Sequence, residues 1–460
     1  MTTTSFDESH ESDVAKSAIK KVTIRLVPFV ALMFFINYLD RTAIGFAEPN
    51  GMGDDLALTA AQYGFASGVF FIGYILLELP SNMALHRFGA RRWLARIMVT
   101  WGIVAVLFTW VQDFTQLAWL RFALGVAEAG FFPGAILFLS LWVPARYRVR
   151  VLATFYLAQP LTSVIGAPLA GWLMTHDGVF FGLEGWRFMF LGVGAPAIIV
   201  GVIAWFYLAD SPNDAKWLNT AEKAWLTDAI AKENATKEGS EEKSGHGLAD
   251  LKVALSSGRV WTLSAIYFGF IYGLYTLAFF LPTVISGFQE QYDVEFGLVE
   301  KGLITAIPYV PAAIVLFLVS KHATKVGVKT GHIAIPAFTG AISIPLALYA
   351  GSPQLTIACI TVTACSIFAA LPNFWTVPTQ FLTGAAAAAG IALINTMGNL
   401  AGFAAPFVTG WIKDANGGDF KPAFFLVGAL MLVSCVLMVA LSRRQQVSAD
   451  ERSTTVSAGH

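Results

Sequence analysis

Twelve stretches of about 20 mostly apolar residues recur along this chain. They start near residues 24, 60, 93, 115, 150, 186, 260, 298, 330, 353, 384 and 420. Each is long enough to cross the roughly 30 Å hydrocarbon core of a bilayer as a helix. Inside lipid every backbone N–H and C=O must be paired, and a helix does this within its own segment. The pattern therefore predicts an all-α membrane protein with twelve transmembrane helices. Of the 460 residues, 56% are hydrophobic and 13% charged, against about 25% charged in soluble domains. Lys plus Arg equals Asp plus Glu at 30 each, so no global basic face suggests a nucleic-acid partner.

One connection stands apart from the rest. Residues 209–258 are polar and divide the spans six plus six. The expected organisation is a polar tail (1–22), an N-terminal six-helix half (23–208), the central loop (209–258), a C-terminal six-helix half (259–442) and a second tail (443–460). Within the loop, "SPNDAKWLNTAEKAWLTDAI" reads as an amphipathic helix with Thr220 as a candidate N-cap. "AKENATKEGSEEKSGHG" reads as a flexible linker. The opening "MTTTSFDESHESDVAKSAIKK" has no apolar core before Leu26, so it reads as a solvated tail and not a cleaved signal.

Positive charge alternates between connections. The first tail carries Lys16, Lys20, Lys21 and Arg25; the second-to-third connection carries Arg87, Arg91, Arg92 and Arg96; the fourth-to-fifth carries Arg146, Arg148 and Arg150; the eighth-to-ninth carries Lys321, Lys325 and Lys329. The central loop carries six lysines, though among nine acids, and the C-terminal tail three arginines. The remaining loops hold few cations among acids such as Asp54, Asp55, Glu290 and Asp293. Cytoplasmic loops are the basic ones, so both termini are expected in the cytoplasm, with the chain in the cell's inner membrane.

The halves repeat. "HRFGARR" after the second span matches "TKVGVKT" after the eighth, pairing Arg87 with Lys325, Gly89 with Gly327 and Arg91 with Lys329 at an offset of 238 residues. "GAPLAGW" in the fifth span matches "AAPFVTGW" in the eleventh, with Pro168 and Pro406 at the same offset. Two matches at one offset indicate duplicated halves around a central cavity.

Charges inside the spans are few: Asp40 and Arg41 in "INYLDRTAIGF", Glu78 in the second span, and Arg121 and Glu128 in the fourth. Each costs roughly 2.5–3.5 kcal/mol or more at the bilayer centre, so such residues are functional by default. At about 1.5 Å per residue, Asp40 and Arg121 fall at similar depth and Glu128 near the midplane. Arg121 and Glu128, two turns apart, share one helix face. Asp40 is expected to pair with Arg121. Arg41, about 100° round the helix from Asp40, is expected to face the cavity.

"LHRFGARRW", "NYLDR", "FFIGYILLELPSN", "LRFALGVAEAGFFPG" and "GIALINTMGNLAGFAAP" together resemble the anion:cation symporter branch of the major facilitator superfamily. That branch includes bacterial transporters of tartrate, sugar acids and aromatic acids, vesicular glutamate transporters and sialin. His86 stands where the loop motif has Asp, which argues against an Asp-based latch there. The resemblance implies proton coupling at Asp40 and Glu128 and binding of a substrate carboxylate by Arg41 and Arg121. It implies further substrate contacts from Tyr74, Gln159, Trp375 and Asn395, with Asn399 one turn beyond. Tyr267, Tyr272 and Tyr275 are weaker candidates. Glu78 near the end of its span is assigned to gating, in contact with a loop arginine such as Arg87 or Arg91.

The expected function is proton-coupled symport of a small organic anion by a monomeric secondary transporter. The partners are the anion, protons and the bilayer, and no cofactor or nucleic acid is expected. The alternatives are an exporter of the same fold, which two buried arginines argue against, and a membrane sensor that binds the anion without moving it. There is no phosphate loop for ATP. No nucleophile–base set is visible, so an enzyme is not expected. The seven histidines lack ligand spacing, which disfavours a metal site, and the three cysteines sit in apolar runs as core residues.

Overall fold

The computed structural model describes residues 4–144, 147–148, 151–152, 155, 158–241, 252, 254–381 and 385–457. The segment expected to be a flexible linker (231–247) is not one throughout: residues 231–241 continue the helix Thr220–Glu241, and 242–247 lie outside the described residues.

The described residues are helical almost throughout. The helices are α1 (Thr4–Ala47), α2 (Ala60–Phe88), α3 (Ala90–Leu107), α4 (Phe114–Glu128), α5 (Phe131–Ser140), α6 (Ala158–Met174), α7 (Gly185–Tyr207), α8 (Thr220–Glu241), α9 (Gly258–Ser286), α10 (Leu298–Ala306), α11 (Tyr309–Val326), α12 (Gly331–Leu346), α13 (Pro353–Phe374), α14 (Thr376–Phe381), α15 (Ala385–Ala415) and α16 (Lys421–Ser457). Among the described residues, eleven helical segments are long and apolar enough to cross a membrane. The expected fifth span is represented by α6, whose described part has 17 residues.

Caps define where helices begin. Thr59 and Gln62 form a reciprocal capping box at the start of α2. Asp113 and Ser352 take a backbone N–H at the starts of α4 and α13. Each satisfies one of the donors that a helix start leaves free. The expected amphipathic helix in the central loop is α8, but its cap is Asn219, whose side chain accepts from the Glu222 N–H (2.8 Å), and Thr220 is the first helical residue. Glu222 accepts from Ser17 (2.7 Å) and Lys21 (2.8 Å) on α1. Trp217 stacks on Trp142. These contacts strap the loop to the first six-span segment.

Packing follows a pattern. In the first part of the chain α3 packs on α7, α2 on α4, and α1 on α6 and α7; in the second, α12 packs on α16, α11 on α13, and α9 on α15 and α16. Contacts between the parts join α2 to α15, α6 to α10 and α11, and α1 to α9.

The α2–α15 contact includes places where backbone meets backbone. A Cβ added at Gly64 would lie 2.1 Å from the Pro406 carbonyl, and one at Gly410 would lie 2.0 Å from the Ala60 carbonyl. Small residues allow this approach of helices in lipid. At the same end, Asp414 accepts from the N–H groups of Ala60 (3.0 Å) and Ala61 (2.8 Å), and the Tyr63 hydroxyl donates to the Phe279 carbonyl (2.6 Å).

Candidate functional site

The charges converge where α1, α2, α4 and α9 meet. Arg41 on α1 forms an ion pair with Glu128 on α4. Its other guanidinium nitrogen donates to the Tyr275 hydroxyl on α9 (3.2 Å). Its carbon lies 4.8 Å from the Phe70 ring centre and 5.5 Å from that of Tyr74, both on α2. The Glu128 side chain is 0% exposed and that of Arg41 12%. The acid is thus sealed, and the arginine keeps a narrow opening.

Asp40 points elsewhere. Its carboxylate accepts from the Trp101 indole N–H on α3 (2.8 Å). Arg121 is fully buried. It donates to the backbone carbonyls of Ala66 (3.3 Å), Ser67 (3.3 Å) and Arg41 (3.4 Å). The expected pairing is therefore exchanged: among the described residues the ion pair is Arg41–Glu128, and Asp40 and Arg121 form none. The cause is helix rotation. The 100° step that separates Asp40 from Arg41 turns Asp40 toward α3 and Arg41 toward α2, α4 and α9. Sequence depth fixes level but not azimuth.

Span four is also not one rod. α4 stops at Glu128 and α5 begins at Phe131, with Ala129 turned out of helix and Gly130 left-handed at φ 82°. A Cβ at Gly130 would sit 2.5 Å from the Ser81 hydroxyl. Glycine is required there both for its backbone angle and for space. The break places Glu128 at the last position of a helix inside the bundle.

Two guanidinium nitrogens here lack a hydrogen-bond partner among the described residues, Arg41 Nε and Arg121 Nη1, and Glu128 faces the Asn37 amide. Asn37 is fully buried one turn before Arg41. Orphaned nitrogens such as those of Arg41 and Arg121 cost about 1–3 kcal/mol each.

The remaining candidates divide. Tyr74 lies in the Arg41 cluster. Gln159 meets the hydroxyl of Tyr38, the neighbour of Leu39 on α1. Asn395 and Asn399 on α15 both donate to Glu78 on α2, at 3.2 and 3.4 Å. The partner of Glu78 is thus a pair of amides across the two parts of the chain and not the loop arginine expected for it. Trp375 packs edge-on to Tyr267 at 4.9 Å, away from the ion pair's described contacts. Arg87 is exposed beside Phe88, and Arg91 pairs with Asp210 at 3.3 Å. Sequence reasoning missed Trp101 and Asn37 and underrated Tyr275. A tryptophan or tyrosine in an apolar span carries no periodic signal; Asn37, in "NYLDR", had the same polar-in-apolar signature as Asp40.

A multi-span helical bundle with a sealed ion pair at the junction of its two parts has the form of a membrane carrier. The chain belongs to the Major Facilitator Superfamily, whose family model matches residues 30–406. It is 43% identical over 434 residues to a protein of Agrobacterium vitis named "Putative tartrate transporter", covering 94% of this chain and 96% of that one. It is 37% identical over 425 residues to the "Quinolone resistance transporter" of Acinetobacter baumannii, covering 92% and 94%. These relatives are transporters and not enzymes. Among solved structures, the fold resembles the xylose transporter XylE from E. coli in a partially occluded inward open conformation, with TM-score 0.70 at 15% identity over 91% of this chain and 98% of that one.

Proposed function

We propose that this protein is a proton-coupled symporter that takes up a small organic anion, of the tartrate or sugar-acid type. The observation that carries the reading is the buried Arg41–Glu128 pair. While Glu128 is ionised, it occupies the guanidinium that a substrate carboxylate would need. A proton on Glu128 removes the competing charge, and Arg41 is freed to take the carboxylate through two parallel N–H bonds. Proton and anion then bind cooperatively without a further conformational device.

Asp40, Arg41, Arg121 and Glu128 sum to zero with both acids ionised. Protonation of Glu128 and then Asp40 leaves +1 and then +2 for the anion. Arg121, tied to three carbonyls, holds α1 and α2 in register behind the site and adds its field to the anion. Tyr74, Tyr275 and Gln159 supply hydroxyl and amide groups for substrate oxygens. Glu78 with Asn395 and Asn399 forms a gate between the parts, and Arg91 with Asp210 steadies the adjoining loop. The packing pattern that recurs after six spans supports twelve helices in two repeated halves; the alternating basic loops support cytoplasmic termini and an inner-membrane location. A monomer is sufficient, since every proposed contact comes from one chain.

The quinolone-named relative favours a second reading, export by the same fold. Quinolones also carry a carboxylate, so the arginine site suits both cargoes and direction separates them. The deciding experiment uses proteoliposomes with an imposed pH gradient. Labelled tartrate should accumulate on the alkaline side when the outside is acid. Accumulation of a quinolone against that gradient, with no tartrate movement, would replace symport with export.

A further inference from the structure

The turn between α2 and α3 carries an arrangement unrelated to the central ion pair. Phe88 and Trp93 stack with ring centres 5.5 Å apart and planes 15° apart. The Arg96 guanidinium lies 3.9 Å over Trp93, and that of Arg87 lies 5.6 Å from the Phe88 ring centre. The indole is locked in place because its N–H donates to the Ser81 hydroxyl (3.0 Å). The result is a ladder of cation, ring, ring, cation.

The ladder is short of anions. Asp210 is spent on Arg91 and on the backbone at the start of α3. Among the described residues Arg87, Arg92 and Arg96 have no carboxylate partner, and the buried Nε of Arg96 has no hydrogen-bond partner. Stacking on a ring offsets only part of the cost of a half-buried cation.

What lies beyond Arg96 identifies the missing anion. Ile103 and Leu107 follow it at seven and eleven residues, on the same stripe of α3, and are 48% and 44% exposed. In a spanning helix that stripe faces acyl chains. Arg96 sits about 10 Å from Ile103 along the helix, at its basic-loop end and next to an aromatic of the kind that anchors at headgroup level. A phosphate above and a hydrocarbon chain below is the profile of a phospholipid. Three unpaired arginines with no facing acid select a net negative one.

We propose that Arg87 and Arg96 bind the phosphate of an anionic phospholipid whose acyl chain lies along Ile103 and Leu107. The test uses the full-length protein in detergent, with lipid retention read by native mass spectrometry and unfolding midpoint read in parallel. Phosphatidylglycerol is compared with phosphatidylcholine of the same chains and with inorganic phosphate. Phosphatidylglycerol should be retained and should raise the midpoint, and the other two should not. R96Q should weaken its affinity at least tenfold and R87Q severalfold. R443Q, an exposed arginine on α16, should bind as the parent does. Undiminished binding by R96Q and R87Q overturns the site, as does equal loss in R443Q. An equal response to inorganic phosphate overturns the lipid. Should R96Q fail to fold, the exposed R87Q decides alone.

Discussion

Replacing Glu128 by glutamine keeps its size and one acceptor oxygen but deletes the charge that holds Arg41. Removing one member of a buried ion pair costs about 3–5 kcal/mol when the other is left with nothing. Here Arg41 retains the Tyr275 hydroxyl, the Phe70 face and the amide oxygen of the new glutamine, so a loss nearer 1–2 kcal/mol is expected, the size of one or two hydrogen bonds. The protein should fold. Transport should split. Glutamine mimics the protonated acid, so Arg41 stays open to substrate and the loaded carrier still reorients, but no proton is released. With membrane potential clamped, one pH unit is worth about 1.4 kcal/mol per coupled proton, or tenfold accumulation. Gradient-driven uptake of tartrate into proteoliposomes should fall from up to that tenfold to equilibration. Exchange of labelled for unlabelled substrate on the same preparation should stay within about twofold of the parent. Full accumulation in the variant would refute Glu128 as the coupling acid and move the role to Asp40; parallel loss of both activities would make it structural.

Three further outcomes follow from other parts of the molecule. Arg121→Lys exchanges a planar fork for a point charge and cannot hold carbonyls on two helices, so it should lower the unfolding midpoint by an amount equivalent to about 2–4 kcal/mol and weaken anion binding; an unchanged midpoint by thermal unfolding would exclude the clamp. Asp414→Asn removes the charge that caps α2 from the opposite part of the chain, worth about 1 kcal/mol, and hydrogen exchange at the first amides of α2 should speed up about fivefold. At Glu222 in the central loop, burial raises the carboxyl but hydrogen bonds from Lys21, Asn219 and Ser17 outweigh it and hold it below the ordinary value. Its stabilisation is therefore complete at neutral pH and lost as pH falls through and below the usual carboxylate range, so trypsin should cut α8 faster in Glu222→Gln than in the parent at pH 7, and no faster if the strap is idle.

The spans and the identity of the charged residues were legible because lipid penalises each charge and each unpaired backbone group so heavily. Their partners were not. Depth along a helix can be counted, but whether Glu128 meets Arg41 or Arg121 meets Asp40 depends on the rotation of α4 about its axis, which only packing determines. The break after Glu128 was written in "EAGFFPG", where Gly130 precedes Pro133, yet an unbroken apolar count concealed it. The Glu78 contact failed for a different reason. Its two amide partners lie more than 300 residues away on α15, so no local pattern reports them.

The backbone contact of α2 with α15 governs how abruptly this molecule can change shape. Where Gly64 and Gly410 meet the facing carbonyls, no side chain lies between the backbones to stretch as the helices part. Attraction between close-packed atoms fades within about an ångström of separation. A half-parted seam would therefore have lost its cohesion before gaining anything in return. The seam should act like a snap fastener, shut or released, and distances measured across it on single molecules should fall into two narrow populations with little between them.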